Sequence, residues 1–245
     1  MLTIRKEQIA VFRASMRGSF EDRMVVYLRE DYPADCETLG EAQTRRVIDL
    51  GIGRAAAHGF DTKGDVRDYI CLMFRLGSYF DEDPFFPWVA QVLPEREGAA
   101  PSARMDDLWA AAMAYWSRVA GDRGQYHAAA LLRVRETPFE SFAAIGAPDA
   151  RTLYPEKCRD LSESNFRRVT DLGRASVKRH GLGVQEGLSL YLALMLVLGS
   201  HFDRDPLHPW AEAVLQETPV ADSRLKARKL HEAAMARLDQ SLSSS

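Results

Sequence analysis

Leu76 to Trp88 reads LGSYFDEDPFFPW, and Leu198 to Trp210 reads LGSHFDRDPLHPW. The two stretches lie 122 residues apart, and the same offset organises the rest of the chain. It aligns Tyr32–Leu93 with Tyr154–Leu215 without a gap, with about 27 of roughly 62 pairs identical. Tyr32-Pro33 meets Tyr154-Pro155, Cys36 meets Cys158, Arg45-Arg46-Val47 meets Arg167-Arg168-Val169, and His58-Gly59 meets His180-Gly181. Further on, Leu108 and Ala111 to Ala114 meet Leu230 and Ala233 to Ala236, while toward the start of each copy only Ser19-Phe20 and Ser141-Phe142 stand out. The chain therefore divides into copies 1–122 and 123–245, with the boundary near Gly121 to Gly124.

Within a copy the apolar residues recur at helical steps. Ile9, Phe12, Met16, Phe20, Met24 and Tyr27 draw one stripe over residues 4–30 before Tyr32-Pro33. Val47, Ile48, Gly51, Ile52 and Ala55 form a second stripe, ended by Gly59, because glycine tolerates the left-handed turn after a helix. Thr62 and Asp65 read as a capping box for a third helix, which Gly77 closes. Asp83-Pro84 reads as an N-cap with proline in the first turn, starting a short helix through Leu93. Ser102 caps a last helix carrying Met105, Leu108, Met113 and Trp116. The second copy restarts at Glu163, Val184, Asp205 and Asp222, but Pro138 splits its first helix into 125–136 and 139–146. With no sustained two-residue alternation, the class is all-α, with about five helices per copy packed about a pseudo-twofold axis.

Composition excludes several functions. A net charge of −3 gives no general attraction to nucleic acid. The longest apolar run, Leu188 to Leu198, is too short to cross a bilayer, so no membrane insertion is expected. The opening MLTIRKEQ lacks a secretory pattern, and Cys36, Cys71 and Cys158 have no metal or disulfide spacing, which suits a cytoplasmic protein with reduced thiols.

Candidate sites are few. Asp81 and Asp83, with Asp203 and Asp205, place two carboxylates on each FDxDP loop, yet capping and turn formation account for them better than a cation short of oxygen ligands. His180, His201 and His208 offer three of the four ligands zinc prefers, but Tyr79 and Phe86 replace two of them in the first copy. Arg45 and Arg46, with Arg167 and Arg168, can meet a partner's carboxylate, or Arg45 can pair with Asp49 a helical turn away. Gly51-Ile-Gly53 lies inside a helix and follows no strand, so it is no phosphate loop. Cys36 and Cys158 read as buried small hydrophobes. The clearest asymmetry is charge: residues 1–122 hold 15 basic and 20 acidic side chains, the remainder 17 and 15.

The segments LMFRLGSYFDEDPFFPW and LMLVLGSHFDRDPLHPW, with RRVIDLGIGRAAAHGFDTKGDVRDY, resemble a poorly characterised family of small helical bacterial proteins associated with type VI secretion, PAAR-type spikes and polymorphic-toxin loci. The likeness covers roughly 60 residues of each copy, as if two members were fused. Such loci hold effectors, adaptors, chaperones and immunity proteins, and the likeness supplies no catalytic residue, metal or cofactor. With no catalytic constellation in the sequence and a duplicated scaffold whose faces diverge, the expectation is a non-enzymatic partner-binding protein, an adaptor, chaperone or immunity factor for a secretion component or toxin effector. The positions expected to bind that partner are Arg45, Arg46, Arg167 and Arg168, with Tyr79, Phe86, His201 and His208, where the copies differ. The alternative is a helical toxin or hydrolase using the aspartates or histidines between the copies.

Overall fold

The computed structural model describes residues 6–94, 100–146, 149–159, 161–216 and 222–243, with backbone alone at 6–16 and 243. The side chains of Ile9, Phe12 and Met16, the first five residues and residues 95–99 lie outside the described residues. In order come α1 (Lys6–Asp31), α2 (Pro33–Ala57), α3 (Lys63–Leu76), α4 (Val89–Val92), α5 (Pro101–Ala120) and α6 (Gln125–Glu136). Two 3-10 segments, Phe139–Ala144 and Asp149–Thr152, lead to α7 (Pro155–Cys158), α8 (Glu163–His180), α9 (Gln185–Leu198), α10 (Pro209–Gln216) and α11 (Ser223–Ser243). Among the described residues there is no strand, and no helix is long and apolar enough to cross a membrane.

The local signals act at matching places. Thr62 accepts a hydrogen bond from the Asp65 amide (3.1 Å), and Ser162 accepts one from Asn165 (3.2 Å), so both helices begin on a side-chain cap. Gly40 keeps a non-helical φ of 71° inside α2, while Ser162, 122 residues later, separates α7 from α8. The same break is thus bridged in one half and open in the other. Pro138 stops α6 after Glu136, and the chain resumes as the 3-10 turn 139–144.

Three expectations need correction. Asp83-Pro84 and Asp205-Pro206 do not start helices: both aspartates bind amides two residues on, and α4 and α10 begin only at Val89 and Pro209. Ser102 does not cap α5, whose N-cap is Ala100. Its hydroxyl instead donates to the buried Asp65 carboxylate at 3.1 Å. Arg45 does not pair with Asp49: it reaches back to Glu41 and across to Asp22, both at 2.9 Å, and Asp49 pairs with Arg17 of α1.

Two details of helix packing are alike in residues 1–122 and 123–245. Gly51 of α2 lies so close to α3 that an added methyl would stand 2.5 Å from Ile70, and Gly173 of α8 would meet Leu192 of α9 at 2.7 Å. Arg104 donates to the Leu93 carbonyl (2.9 Å) and Lys226 to the Leu215 carbonyl (2.8 Å), each satisfying the end of a short helix from a buried position. The halves differ at α9, whose residues from Ser189 to Val197 are all buried. The broken first helix of its half folds onto it, Ser189 donating to Ile145 (2.5 Å) and Gln185 to Ala143 (2.6 Å). In the other half, straight α1 packs chiefly on α2, and α3 keeps a charged face of Arg67, Asp68 and Arg75. That difference explains why α9 is apolar all round while α3 is amphipathic.

Candidate functional site

Two arrangements gather the chemistry-bearing side chains, a hydrogen-bonded seam and a cavity. The seam is formed by the two FDxDP loops. Gly77 and Gly199 end α3 and α9 with φ of 99° and 101°, a region open chiefly to glycine, and this turns Ser78 and Ser200 toward the opposite half. Asp205 accepts from the Ser78 amide (2.8 Å) and hydroxyl (2.5 Å); Asp83 accepts from the Ser200 amide (2.8 Å). Both aspartates are buried. Tyr79 and His201, which share a place in the two loops, meet edge to face at 5.6 Å, and Arg204 reaches Glu82 at 3.1 Å.

Behind the seam each half holds its other loop aspartate against a histidine. His58 Nε2 donates to Asp81 at 2.7 Å, with Arg54 on the same carboxylate; His180 Nε2 donates to Asp203 at 2.8 Å, with Arg179 at 3.4 Å. Since an ionised carboxylate only accepts, both imidazoles carry their bonded proton on Nε2. Burial pushes the two carboxyls up, but the histidine bonds and nearby arginines outweigh it and hold both below the usual carboxylate range. All four loop aspartates are therefore engaged within the protein. The three histidines considered as zinc ligands have separate partners: His180 on Asp203, His201 on Tyr79, and His208 facing the Leu198 carbonyl at 3.4 Å. Among the described residues no three His, Cys, Asp or Glu side chains converge as a metal site.

The expected partner-binding residues scatter. Arg46, Arg167 and Arg168 are exposed, and Arg45 is half-buried beside a shallow depression with Glu21 and Asp49. Tyr79 and His201 lie in the seam. Phe86 is 4% exposed and packs edge to face on Tyr115 at 5.2 Å. His208 lines the cavity.

That cavity, about 440 Å³, lies between the halves. Its walls repeat by the 122-residue offset: Tyr32 and Tyr154, Leu76 and Leu198, Gly77 and Gly199 all line it. Between these, matched positions carry different side chains. Asp35 faces it where the other half has Lys157, Phe86 where it has His208, and Tyr115 where it has Arg237. Arg75, a valine at the matched position 197, completes the set. The cations Arg75, Lys157 and Arg237 thus stand against one carboxylate, Asp35, among the described lining residues. Burial pushes the Lys157 ammonium down, partly opposed by Asp83; it donates to the Leu196 carbonyl at 2.8 Å and sits 4.5 Å over the Phe85 ring. Burial, aided by Lys157, pushes His127 on the same wall down to about 4, so it is neutral at physiological pH.

Reading the repeat by its identities missed Asp35, Arg75, His127, Lys157 and Arg237. Apart from His127, the available signal was the reverse one: a charge or imidazole in one copy opposite a dissimilar residue in the other. Compared with known proteins, the chain matches no family model, no curated protein and no solved structure.

Proposed function

We propose that the chain is a non-enzymatic, cytoplasmic protein-binding scaffold of a bacterial secretion or toxin locus, built as two copies of one helical unit about a pseudo-twofold axis. The observation that carries this reading is the reciprocal seam. Asp83 and Asp205 occupy matched places and each binds the other half's serine amide, as a twofold relation requires. Asp83 and Asp205 are spent on holding the halves together, and Asp81 and Asp203 on histidines within each half, so the repeated motif serves architecture. The surfaces, net −5 over 1–122 and +2 beyond, have diverged around it. Opposite charge on two faces of one scaffold suits a partner that is itself asymmetric, since complementary charge sets specificity and encounter rate.

Co-purification from the native host tests the proposal. A secretion or toxin component enriched over an untagged control, and lost with Arg167→Glu/Arg168→Glu, is the expected result. Recovery of the chain alone overturns it.

A toxin or hydrolase has one observation in its favour, the cavity between the halves. There His208 and Lys157 would be the reacting groups, not the engaged aspartates. Killing of an expression host by the wild type, relieved by His208→Ala with the protein still folded, would select this second reading.

A further inference from the structure

We propose that the cavity between the two halves binds a flat organic anion, a small molecule with a planar apolar body and a carboxylate or phosphate head. A volume of about 440 Å³ falls in the range of small-molecule sites, roughly 300–1,000 Å³. The planar body follows from the wall: Phe86, Tyr115 and Trp116 present ring surface, and Arg75 lies 5.9 Å over the Trp116 ring.

The head follows from charge. Among the described residues Arg75, Lys157 and Arg237 form no ion pair, although each lines a partly enclosed space where an unpaired cation is costly. Arg75 also keeps a buried Nε with no hydrogen-bond partner, a donor that an anionic oxygen would satisfy. On the same wall His208 faces the Leu198 carbonyl with Nε2, the donor side, which leaves its buried Nδ1 as an acceptor without a donor. A ligand hydroxyl or N–H beside the anionic head answers that atom.

The two halves differ at the cavity in the same sense. At the matched pairs 115/237 and 75/197 an apolar or aromatic residue in one half stands opposite arginine in the other, and at 35/157 the charge is reversed. The residues that face Gly51 and Gly173, by contrast, are apolar in both halves, Ile70 and Met73 in one and Leu192 and Met195 in the other. At these matched places charge stands on the cavity wall, three cations to one carboxylate, which fits a ligand with an anionic end. This inference is independent of the scaffold reading: ligand binding can fail while partner capture succeeds, and the reverse.

The test is calorimetric titration of the full chain with 6-hydroxy-2-naphthoate, alongside 6-hydroxy-2-naphthamide as its neutral counterpart and 2-naphthyl phosphate for the alternative head. One saturable site is expected, with the naphthamide binding at least about tenfold more weakly, the scale of one lost charge-assisted contact. The ratio between the carboxylate and phosphate probes identifies the preferred head. Arg237→Tyr restores the residue of the other half at a partly exposed place, and Arg75→Gln removes the second cation. Each is expected to weaken the anions about tenfold and leave the naphthamide unchanged, with thermal melting confirming the fold. No saturable binding up to millimolar probe, equal binding of anion and naphthamide, or indifference to both substitutions overturns the proposal.

Discussion

The residues that join the two loops are short and polar. Asp205 receives three hydrogen bonds, from the Ser78 amide and hydroxyl and from the Leu207 amide; Asp83 receives two, and the Ser200 hydroxyl is left without a partner. Removing either carboxylate strands buried donors, at roughly 2–4 kcal/mol. Urea denaturation should show Asp205→Ala costing more than Asp83→Ala, and equal losses would mean that the extra serine contact is worth nothing. His127 predicts a pH dependence. Its folded pKa, about 4, lies below the ordinary 6.5, so between those values the unfolded chain binds more protons than the folded one. Stability therefore falls as pH drops through that window, by up to about 3 kcal/mol. His127→Phe, which keeps a ring against Trp116 and Tyr154, should flatten this part of the profile in melts from pH 7 to 4.

At the scale of elements, the helices were readable wherever a side chain acts on its own backbone. Thr62, Gly59, Gly77 and Pro138 each determine a boundary locally, and α3 and the break after α6 stand where those residues put them. The Asp-Pro turns misled because an aspartate that caps a helix and one that caps a neighbouring loop look alike in sequence; a partner 117 or 127 residues away decides between them. The charged cavity was hidden for the same reason. Arg75 and Arg237 become neighbours of one space only after α3 and α11 have packed. Glycines separate local from packing effects. Gly51→Ala and Gly173→Ala push a methyl into the facing helix and should destabilise by about 1–3 kcal/mol. Gly53→Ala, on the same helix with nothing within 4 Å, should stabilise by about 0.5–1 kcal/mol. Chemical denaturation of the three variants checks the contrast, and a stable Gly51→Ala would refute the close approach.

For the whole molecule, the two halves share one continuous core and are held across it from several sides. Tyr154 donates to Val119 (3.1 Å), Gln43 to Pro206 (2.7 Å) and Arg204 to Glu82. None of these contacts, the seam included, depends on the two halves belonging to the same molecule, so each half is satisfied equally by its own companion and by the corresponding half of another copy. The short Gly121–Gly124 connection is then what keeps the pairing within one chain. Two molecules refolding at high concentration can trade halves and recover every bond of the seam, which costs them little beyond association entropy. A dimer that appears on refolding from concentrated denaturant, persists on dilution and disappears after slow refolding at low concentration would be this traded form, seen directly by size-exclusion chromatography.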